Sequence, residues 1–192
     1  VAAPKDENEL QHLIYTGVMA NRPVAVRYPR GSGPGAELDT DLHKIPIGKG
    51  EVLRSGGDVA IVALGSTVYP SVEAAKQLAE RGVNCTVINA RFAKPLDADL
   101  ILGTAQKVNR LVTVEENTLA GGFGSAVMQL LQVNRLRNVQ VKCLGIPDEF
   151  VEHAPQSLLR ARYALDASGV ANQVMDSFPE LFQPLLQRKR GR

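Results

Sequence analysis

The sequence is poor in aromatic residues: it has no tryptophan, and aromatic residues make up 5% of its 192 residues. Proteins that bind single-stranded nucleic acid stack the bases on exposed aromatic rings, so a surface of that kind is not expected. No stretch approaches the roughly 18 consecutive apolar residues of a membrane-spanning helix. The first eight residues are polar and charged, which is not the pattern of a secretory signal. We therefore expect neither a nucleic-acid partner nor a membrane partner.

Cysteine is also scarce. Cys85 and Cys143 both lie inside apolar, strand-like runs, and neither belongs to a CxxC pair. This spacing argues against a structural zinc site. We interpret them as two buried thiols of a protein from a reducing compartment.

The positive charge of the chain is concentrated at one end. Arg188, Lys189, Arg190 and Arg192 lie within the last five residues, and without these four cations the formal net charge of +2 would become −2. A mildly acidic body does not suggest a nucleic-acid surface. We expect the tail to be a solvated end. Because the sequence begins with Val1, without an initiator methionine and almost at a helix start, we expect a piece of a longer chain.

The first 31 residues predict one helix followed by one strand. Asp6 is a typical helix N-cap with Glu9 three residues later. The apolar residues that follow have helical spacing, and Pro23 ends this pattern. Residues 24–28 then form a short β-branched run. A helix and a strand alone cannot make a core, so this part must dock on something else.

Residues 32–41 are the predicted linker, because glycine and proline interrupt any regular structure there. Beyond it, residues 42–180 alternate between strand and helix patterns, and residues 181–192 complete the chain as a short helix and the basic tail. We predict strands at 48–53, 59–64, 85–90, 111–114 and 139–146. This order is typical of an α/β fold with three layers and a mostly parallel sheet.

Ligands of such sheets bind beyond the carboxyl ends of the strands. The polar residues expected there lie in four segments, at 65–67, 91–94, 115–117 and 147–148. Glu115 and Glu116 are adjacent on one strand, so their side chains should point to opposite faces and not form a carboxylate pair. One of them could accept hydrogen bonds from the N-terminus of the next helix, and a contact with a partner subunit is the alternative.

Two other patterns carry less information. The glycines at 121–124 follow a strand and precede a helix, but Val127 occupies the third position of the GxGxxG fingerprint. We interpret these small residues as allowing close packing of helix on sheet. His12, His43 and His153 form no catalytic or metal-binding spacing, and each is expected to be solvated or structural, with His153 kept as a candidate.

Arg27 and Arg30 flank Tyr28 and Pro29 at the end of the first predicted strand. If Tyr28 is buried, Arg27 faces the opposite side of the strand, and Arg30 lies beyond it. Guanidinium groups bind phosphate at two points, so the pair could hold an anion. They could equally be surface arginines that bridge carboxylates at a domain boundary, and spacing alone does not decide.

Six segments together resemble the C-terminal third of the 1-deoxy-D-xylulose-5-phosphate synthase family, which is transketolase-like. In chain order they are Ala3–Leu10 (APKDENEL), Val26–Gly31 (VRYPRG), Ile47–Gly50 (IGKG), Arg91–Asp97 (RFAKPLD), Val114–Asn117 (VEEN) with Gly121 and Gly122, and Gly145–Asp148 (GIPD). The resemblance extends over nearly all of residues 2–178.

The resemblance implies that residues 1–31 end a pyrimidine-binding domain and that a transketolase C-terminal domain follows the linker. Enzymes of the family join pyruvate to glyceraldehyde 3-phosphate, release carbon dioxide, and use thiamine diphosphate with Mg²⁺. It further implies that Arg30, and second Arg27, bind the phosphate of the acceptor substrate, with Tyr28, Glu116 and His153 as weaker candidates. The implied partners are the N-terminal part of the same enzyme and a second copy in a homodimer, in the bacterial cytoplasm or plastid stroma.

Two family features are missing from the sequence. The Gly-Asp-Gly motif that holds the diphosphate and its metal is not reproduced by Gly56–Asp58, and the glutamate that activates the thiamine ring has no counterpart. Ala154 replaces the glycine that usually follows the position of His153. We therefore expect no catalytic residue here and no turnover from this chain alone. A fragment of a 2-oxoacid dehydrogenase β-subunit and a non-catalytic assembly module are the alternatives.

Overall fold

The fold is built on a five-stranded sheet whose strands lie in the order β1-β3-β2-β4-β5. The computed structural model describes residues 1–182. The strands are β1 (Glu51–Arg54), β2 (Val59–Ala63), β3 (Cys85–Asn89), β4 (Arg110–Thr118) and β5 (Gln140–Ile146). All neighbouring pairs are parallel except β1 with β3. The predicted mostly parallel α/β sheet is confirmed, with β1 as an antiparallel edge strand.

Helices cover both faces of the sheet. Along the chain they are α1 (Glu7–Met19), α2 (Val68–Glu80), α3 (Ala98–Val108), α4 (Phe123–Val133), α5 (Gln156–Arg162) and α6 (Ala167–Ser177). One core packs α2 and α6 against one face of the sheet, and a second packs α3 and α4 against the other. Every residue of β2 and β3 is buried, as expected for parallel strands covered on both faces.

The N-terminal helix begins as predicted. Asp6 is the N-cap of α1, and its Oδ1 accepts a hydrogen bond from the amide of Glu9 at 2.7 Å. One turn later, Leu13 packs with Ala2 and Phe92 in a small third core. The first residues of the chain therefore pack against the domain that contains the sheet.

The predicted strand at residues 24–28 is wrong. Val26 forms only an isolated bridge with Ala2, and Tyr28 is 61% exposed instead of buried. A strand needs a neighbour along its length to satisfy its backbone groups. Among the described residues, this segment pairs its backbone only with Ala2, so no ladder forms.

The segment predicted as a linker, residues 32–41, is extended and runs along α1. The carboxylate of Glu7 accepts hydrogen bonds from the amides of Gly35 (2.9 Å) and Ala36 (3.2 Å). Asn8 bonds both the amide and the carboxylate of Asp39. Gln11 and His12 also contact Asp39, so the segment is tied to the helix over more than one turn.

Cys85 is buried as predicted, whereas Cys143 is only partly buried. After β5 the chain continues through α5 and α6, and a 3₁₀ turn at Pro179–Phe182 ends the described part. The basic tail lies outside the described residues. Within residues 1–182, no helix combines the length and apolar character needed to cross a membrane.

Candidate functional site

Glu116 lies near the carboxyl end of β4 and joins three other segments. Its Oε2 accepts a hydrogen bond from Ser66 Oγ at 2.6 Å, at the turn that precedes α2. Its Oε1 accepts one from Arg160 Nε on α5. Its backbone carbonyl accepts one from Arg27. Two of these three segments, those of Ser66 and Arg27, were predicted to carry function, whereas α5 was not.

The neighbouring Glu115 points to the other side, as the alternation of a strand predicts. Its side chain is fully buried, and its two oxygens accept hydrogen bonds from the amides of Phe123 and Gly124, each at 2.8 Å. Burial raises the pKa of Glu115, against the lowering effect of these two amide donors. The prediction that one glutamate satisfies the N-terminus of the next helix is confirmed.

A cleft of about 600 Å³ contains Arg30. We call it the Arg30 cleft. It is lined by residues 28–34, by residues 4–7 and Leu10 near the start of α1, and by the side chains of Ser66, Tyr69, Pro70, Gln156 and Arg160. The cleft thus lies between the N-terminal segment and the sheet domain.

The acidic groups around the Arg30 cleft are already engaged. The Asp6 carboxylate accepts hydrogen bonds from the amide of Glu9 and from Tyr69 Oη, the latter at 2.7 Å. Glu7 binds the amides of residues 35 and 36. Burial and the Asp6 carboxylate raise the pKa of Tyr69, so it is a neutral donor. The carboxylates of Asp6 and Glu7 therefore already have hydrogen-bond donors and do not need the Arg30 guanidinium as a partner.

The cations of the cleft differ in their partners. Lys5 lies within 3.3–3.7 Å of three carboxylates, those of Asp6, Glu9 and Glu51. Arg30 is exposed and has no ion pair or hydrogen bond from its side chain among residues 1–182. Its guanidinium is therefore available to an anion in the cleft.

The other predicted site residues differ in whether they line this cleft. Tyr28 lines it, whereas Arg27 lines a cavity of about 50 Å³ beside Ser66 and Glu116. His153 is exposed in the loop between β5 and α5 and lines none of these cavities. The structure thus brings Arg30, Tyr28 and the Glu116 network together and leaves His153 apart.

The sequence did not reveal the ion pairs that hold α1 over the end of β3. Glu9 is 3% exposed, and its Oε1 accepts hydrogen bonds from Arg91 Nε (2.6 Å) and Asn89 Nδ2 (2.8 Å). Arg91 also bonds Glu51 at 2.9 Å. The segment at 91–94, predicted to meet a ligand, instead anchors the N-terminal helix. A charged residue at a core-facing position of a helix was the signal that could have shown this.

His12, Asp39 and His43 form one group of potential metal ligands. His12 is buried, its Nε2 lies 2.8 Å from Asp39 Oδ2, and its Nδ1 accepts a hydrogen bond from the amide of His43 at 3.3 Å. The amide donor requires an unprotonated Nδ1, so the proton lies on Nε2 and points to Asp39. This arrangement fits a contact between α1 and the extended segment better than a metal centre. That His12 and His43 are structural stays a prediction.

Neither Asp58 nor the group of His12, Asp39 and His43 fits the Mg²⁺ of a thiamine diphosphate site. The Asp58 carboxylate accepts a hydrogen bond from the amide of Asn84 at 2.8 Å, at the amino end of β2. That end is opposite to the edge where ligands of parallel sheets bind. The His12 group is also rich in nitrogen, whereas Mg²⁺ prefers oxygen ligands.

Comparisons with known proteins agree with this architecture. The family model "Transketolase, C-terminal domain" matches residues 48–170. A solved structure described as "Split gene transketolase, inactive beta4 tetramer" matches with a TM-score of 0.80 and 30% identity, over 93% of this chain and 56% of that one.

Curated relatives extend the comparison to the N-terminal segment. The chain is 56% identical over 169 residues to 1-deoxy-D-xylulose-5-phosphate synthase 1 of Geobacter sulfurreducens. It is 50% identical over 175 residues to the 1-deoxy-D-xylulose-5-phosphate synthase of Halothermothrix orenii. These matches cover 88% and 91% of this chain but only 26% and 28% of the relatives, so it spans about a quarter of their length. With its sheet topology and the match over residues 48–170, the chain belongs to the transketolase C-terminal domain family.

Proposed function

We propose that this chain is the C-terminal portion of a 1-deoxy-D-xylulose-5-phosphate synthase. The complete enzyme would condense pyruvate with glyceraldehyde 3-phosphate and release carbon dioxide, in the supply of isoprenoid, thiamine and pyridoxal precursors. The names of the relatives support this activity over that of a 2-oxoacid dehydrogenase β-subunit.

Within that enzyme, Arg30 is our first candidate for binding the phosphate of the acceptor. The observation that carries the proposal is an exposed guanidinium, without a partner among residues 1–182, on a cleft of about 600 Å³. Arg27 ranks second, because its guanidinium already donates to the Glu116 carbonyl. Tyr28 shares the cleft with Arg30 and would supply a further polar contact.

Thiamine diphosphate and Mg²⁺ would be held by the N-terminal part of the same enzyme, because neither Asp58 nor the His12 group fits the Mg²⁺. We also propose that residues 1–31 complete a pyrimidine-binding domain of that part. The outer face of α1 supports this: Ile14, Val18 and Met19 are 48%, 75% and 48% exposed. Apolar side chains grouped in this way on a helix favour a packing partner.

A turnover assay tests the division of labour. We expect no product from this chain with pyruvate, glyceraldehyde 3-phosphate, thiamine diphosphate and Mg²⁺, and product only when the N-terminal part is present. Product from this chain alone would refute the proposal. Light scattering of the complete enzyme would test the homodimer, and a monomeric mass would remove it.

The role of Arg30 is tested in the complete enzyme. Loss of a charged hydrogen bond costs about 1.5–3 kcal/mol, so Arg30→Ala should raise the KM for the acceptor by roughly 10- to 150-fold. The KM for pyruvate should change little. Arg22→Ala is the matched control, because Arg22 is exposed and lines a different cavity. An unchanged acceptor KM in Arg30→Ala would exclude Arg30 from the site.

A further inference from the structure

We infer that Arg160 is a second anion-binding residue of the Arg30 cleft and that Glu116 holds it in position. Together, the two arginines would select a phosphate dianion over a singly charged carboxylate. The inference deepens the proposed function and rests on it for the identity of the anion. Arg160 itself was not a candidate from the sequence, which suggested only Arg27 and Arg30.

The first observation is the orientation of Arg160. Its Nε donates to Glu116 Oε1, and its side chain is 24% exposed. The Arg160 side chain makes no other hydrogen bond among the described residues. A guanidinium has five N–H donors in a fixed plane. With Nε directed to Glu116, the two terminal amino groups are left for a ligand.

The second observation is that Glu116 is itself fixed. Ser66 Oγ donates to the other carboxylate oxygen at 2.6 Å, and Arg27 binds the backbone carbonyl of the same residue. Glu116 is 17% exposed at its side chain. A carboxylate restrained at both oxygens restricts the guanidinium that it binds, which lowers the entropy lost when that guanidinium meets an anion.

The third observation is the charge of the cleft. Arg160 and Arg30 line the same cavity, and the remaining cation, Lys5, is surrounded by three carboxylates. Glu116 offsets part of the charge of Arg160. It contacts the guanidinium only at Nε, however, so the terminal amino groups stay free to bind an anion. A single arginine would match a carboxylate, whereas two arginines on one cavity favour an anion with two charges.

The experiment measures anion binding to the 192-residue chain by titration calorimetry, with glycerol 3-phosphate and inorganic phosphate as probes and acetate as the monoanion. We expect Arg160→Gln to weaken binding of both phosphates by about 10- to 100-fold. Acetate binding should change by less than about threefold. Arg162→Gln is the matched control, because Arg162 lies on the same helix, is 54% exposed and pairs with Glu152. It should bind as the wild type does.

The charge selectivity has its own test. A phosphate monoester gains its second charge near pH 6, so wild-type affinity should rise between pH 5.5 and 7.5. The rise should be smaller in Arg160→Gln. Arg160→Lys keeps the charge but loses the planar fork, so it should recover part of the affinity without the full selectivity over acetate. An Arg160→Gln variant that folds and binds phosphate as tightly as the wild type would overturn the inference.

The positioning by Glu116 is tested by NMR exchange of the arginine Nε–H groups. The Nε–H of Arg160 should exchange slowly in the wild type and rapidly in Glu116→Ala, which removes the acceptor, whereas that of Arg162 should be fast in both. Rapid exchange of Arg160 in the wild type would refute the positioning role.

The outcomes for the two arginines are distinguishable. If Arg30→Ala abolishes phosphate binding while Arg160→Gln does not, the proposed role of Arg30 stands and the role of Arg160 falls. If only Arg160→Gln weakens it, Arg160 is the anion-binding residue and the proposed role of Arg30 fails.

Discussion

Replacing Glu115 with glutamine exchanges one buried carboxylate oxygen for an amino group and leaves the size of the side chain nearly unchanged. In the wild type, each carboxylate oxygen accepts one amide of the first turn of α4 at 2.8 Å. Glutamine retains one acceptor oxygen, and its amino group is a donor. One of the two amides, at Phe123 or Gly124, would then face another donor in a site that excludes water.

The expected cost follows from that loss. A buried donor left without a partner costs about 1–3 kcal/mol, and hydrogen bonds to charged groups lie in the same range. The neutral glutamine avoids the cost of burying a charge, which reduces the net effect. We therefore expect Glu115→Gln to lower the free energy of unfolding by about 2 kcal/mol, which for a chain of this size lowers Tm by roughly 4–8 °C.

Urea unfolding followed by circular dichroism measures this difference. Glu73→Gln is the matched control, because Glu73 pairs with Lys76 at 2.6 Å on the exposed face of α2. Surface pairs of this kind contribute at most about 1 kcal/mol. Glu115→Gln as stable as the control variant would refute the assignment of two hydrogen bonds to this carboxylate.

The pH dependence of the same variant gives a second check. Burial raises the pKa of Glu115 above its ordinary value of 4.5, so the folded state takes up a proton that the unfolded state has released. Its contribution to stability is full below pH 4.5 and is lost as the pH rises through the raised pKa. Glutamine does not titrate. The deficit of Glu115→Gln should therefore widen as the pH falls from 7.5 to 5, and a narrowing would contradict the direction of the shift.

Three further predictions concern packing, the extended segment and a thiol. Gly124→Ala should destabilise the fold by about 1–3 kcal/mol in urea unfolding, because a Cβ there would lie 2.6 Å from the Thr113 hydroxyl. Gly103→Ala, in the interior of α3 with no atom within 4 Å of the added Cβ, should not destabilise it. The backbone amides of Glu7 itself, Gly35 and Ala36 lower the pKa of Glu7. Its contribution to stability is therefore present above pH 4.5 and is lost as the pH falls through the lowered pKa. The protection of the amides of residues 35 and 36 from hydrogen exchange, relative to the intrinsic rate at each pH, should fall in acid in the wild type and stay constant in Glu7→Gln. Burial raises the pKa of Cys85 to about 12, and this thiol should react with Ellman's reagent only after unfolding.

The sheet could be predicted from the sequence because its signals are local. Apolar runs such as Val59–Ala63 are typical of strands buried on both faces, and glycine and proline mark the turns between elements. The opposite orientation of Glu115 and Glu116 also follows from strand geometry alone. The bounds of the helices then follow from their caps and apolar spacing.

The failures concern contacts between distant segments. The β-branched run at residues 24–28 has the local pattern of a strand, but a ladder depends on a neighbour that the pattern does not contain. The ion pair of Glu9 with Arg91 joins residues 82 positions apart, and no spacing rule connects them. For the same reason, Arg160 could not be recognised as a residue of the Arg30 cleft, since only the folded chain brings α5 beside the N-terminal segment.

The two adjacent glutamates of β4 separate stability from binding. Glu115 is directed into the core and accepts hydrogen bonds from α4, whereas Glu116 is directed to Ser66 and Arg160, which line the Arg30 cleft. Because their side chains share no partner, their substitutions should act independently apart from effects through the strand itself. Glu115→Gln should therefore lower Tm without changing the affinity of the folded chain for phosphate. The exchange of the Arg160 Nε–H should accelerate in Glu116→Ala and not in Glu115→Gln. A general loosening of the strand end would accelerate it in both variants.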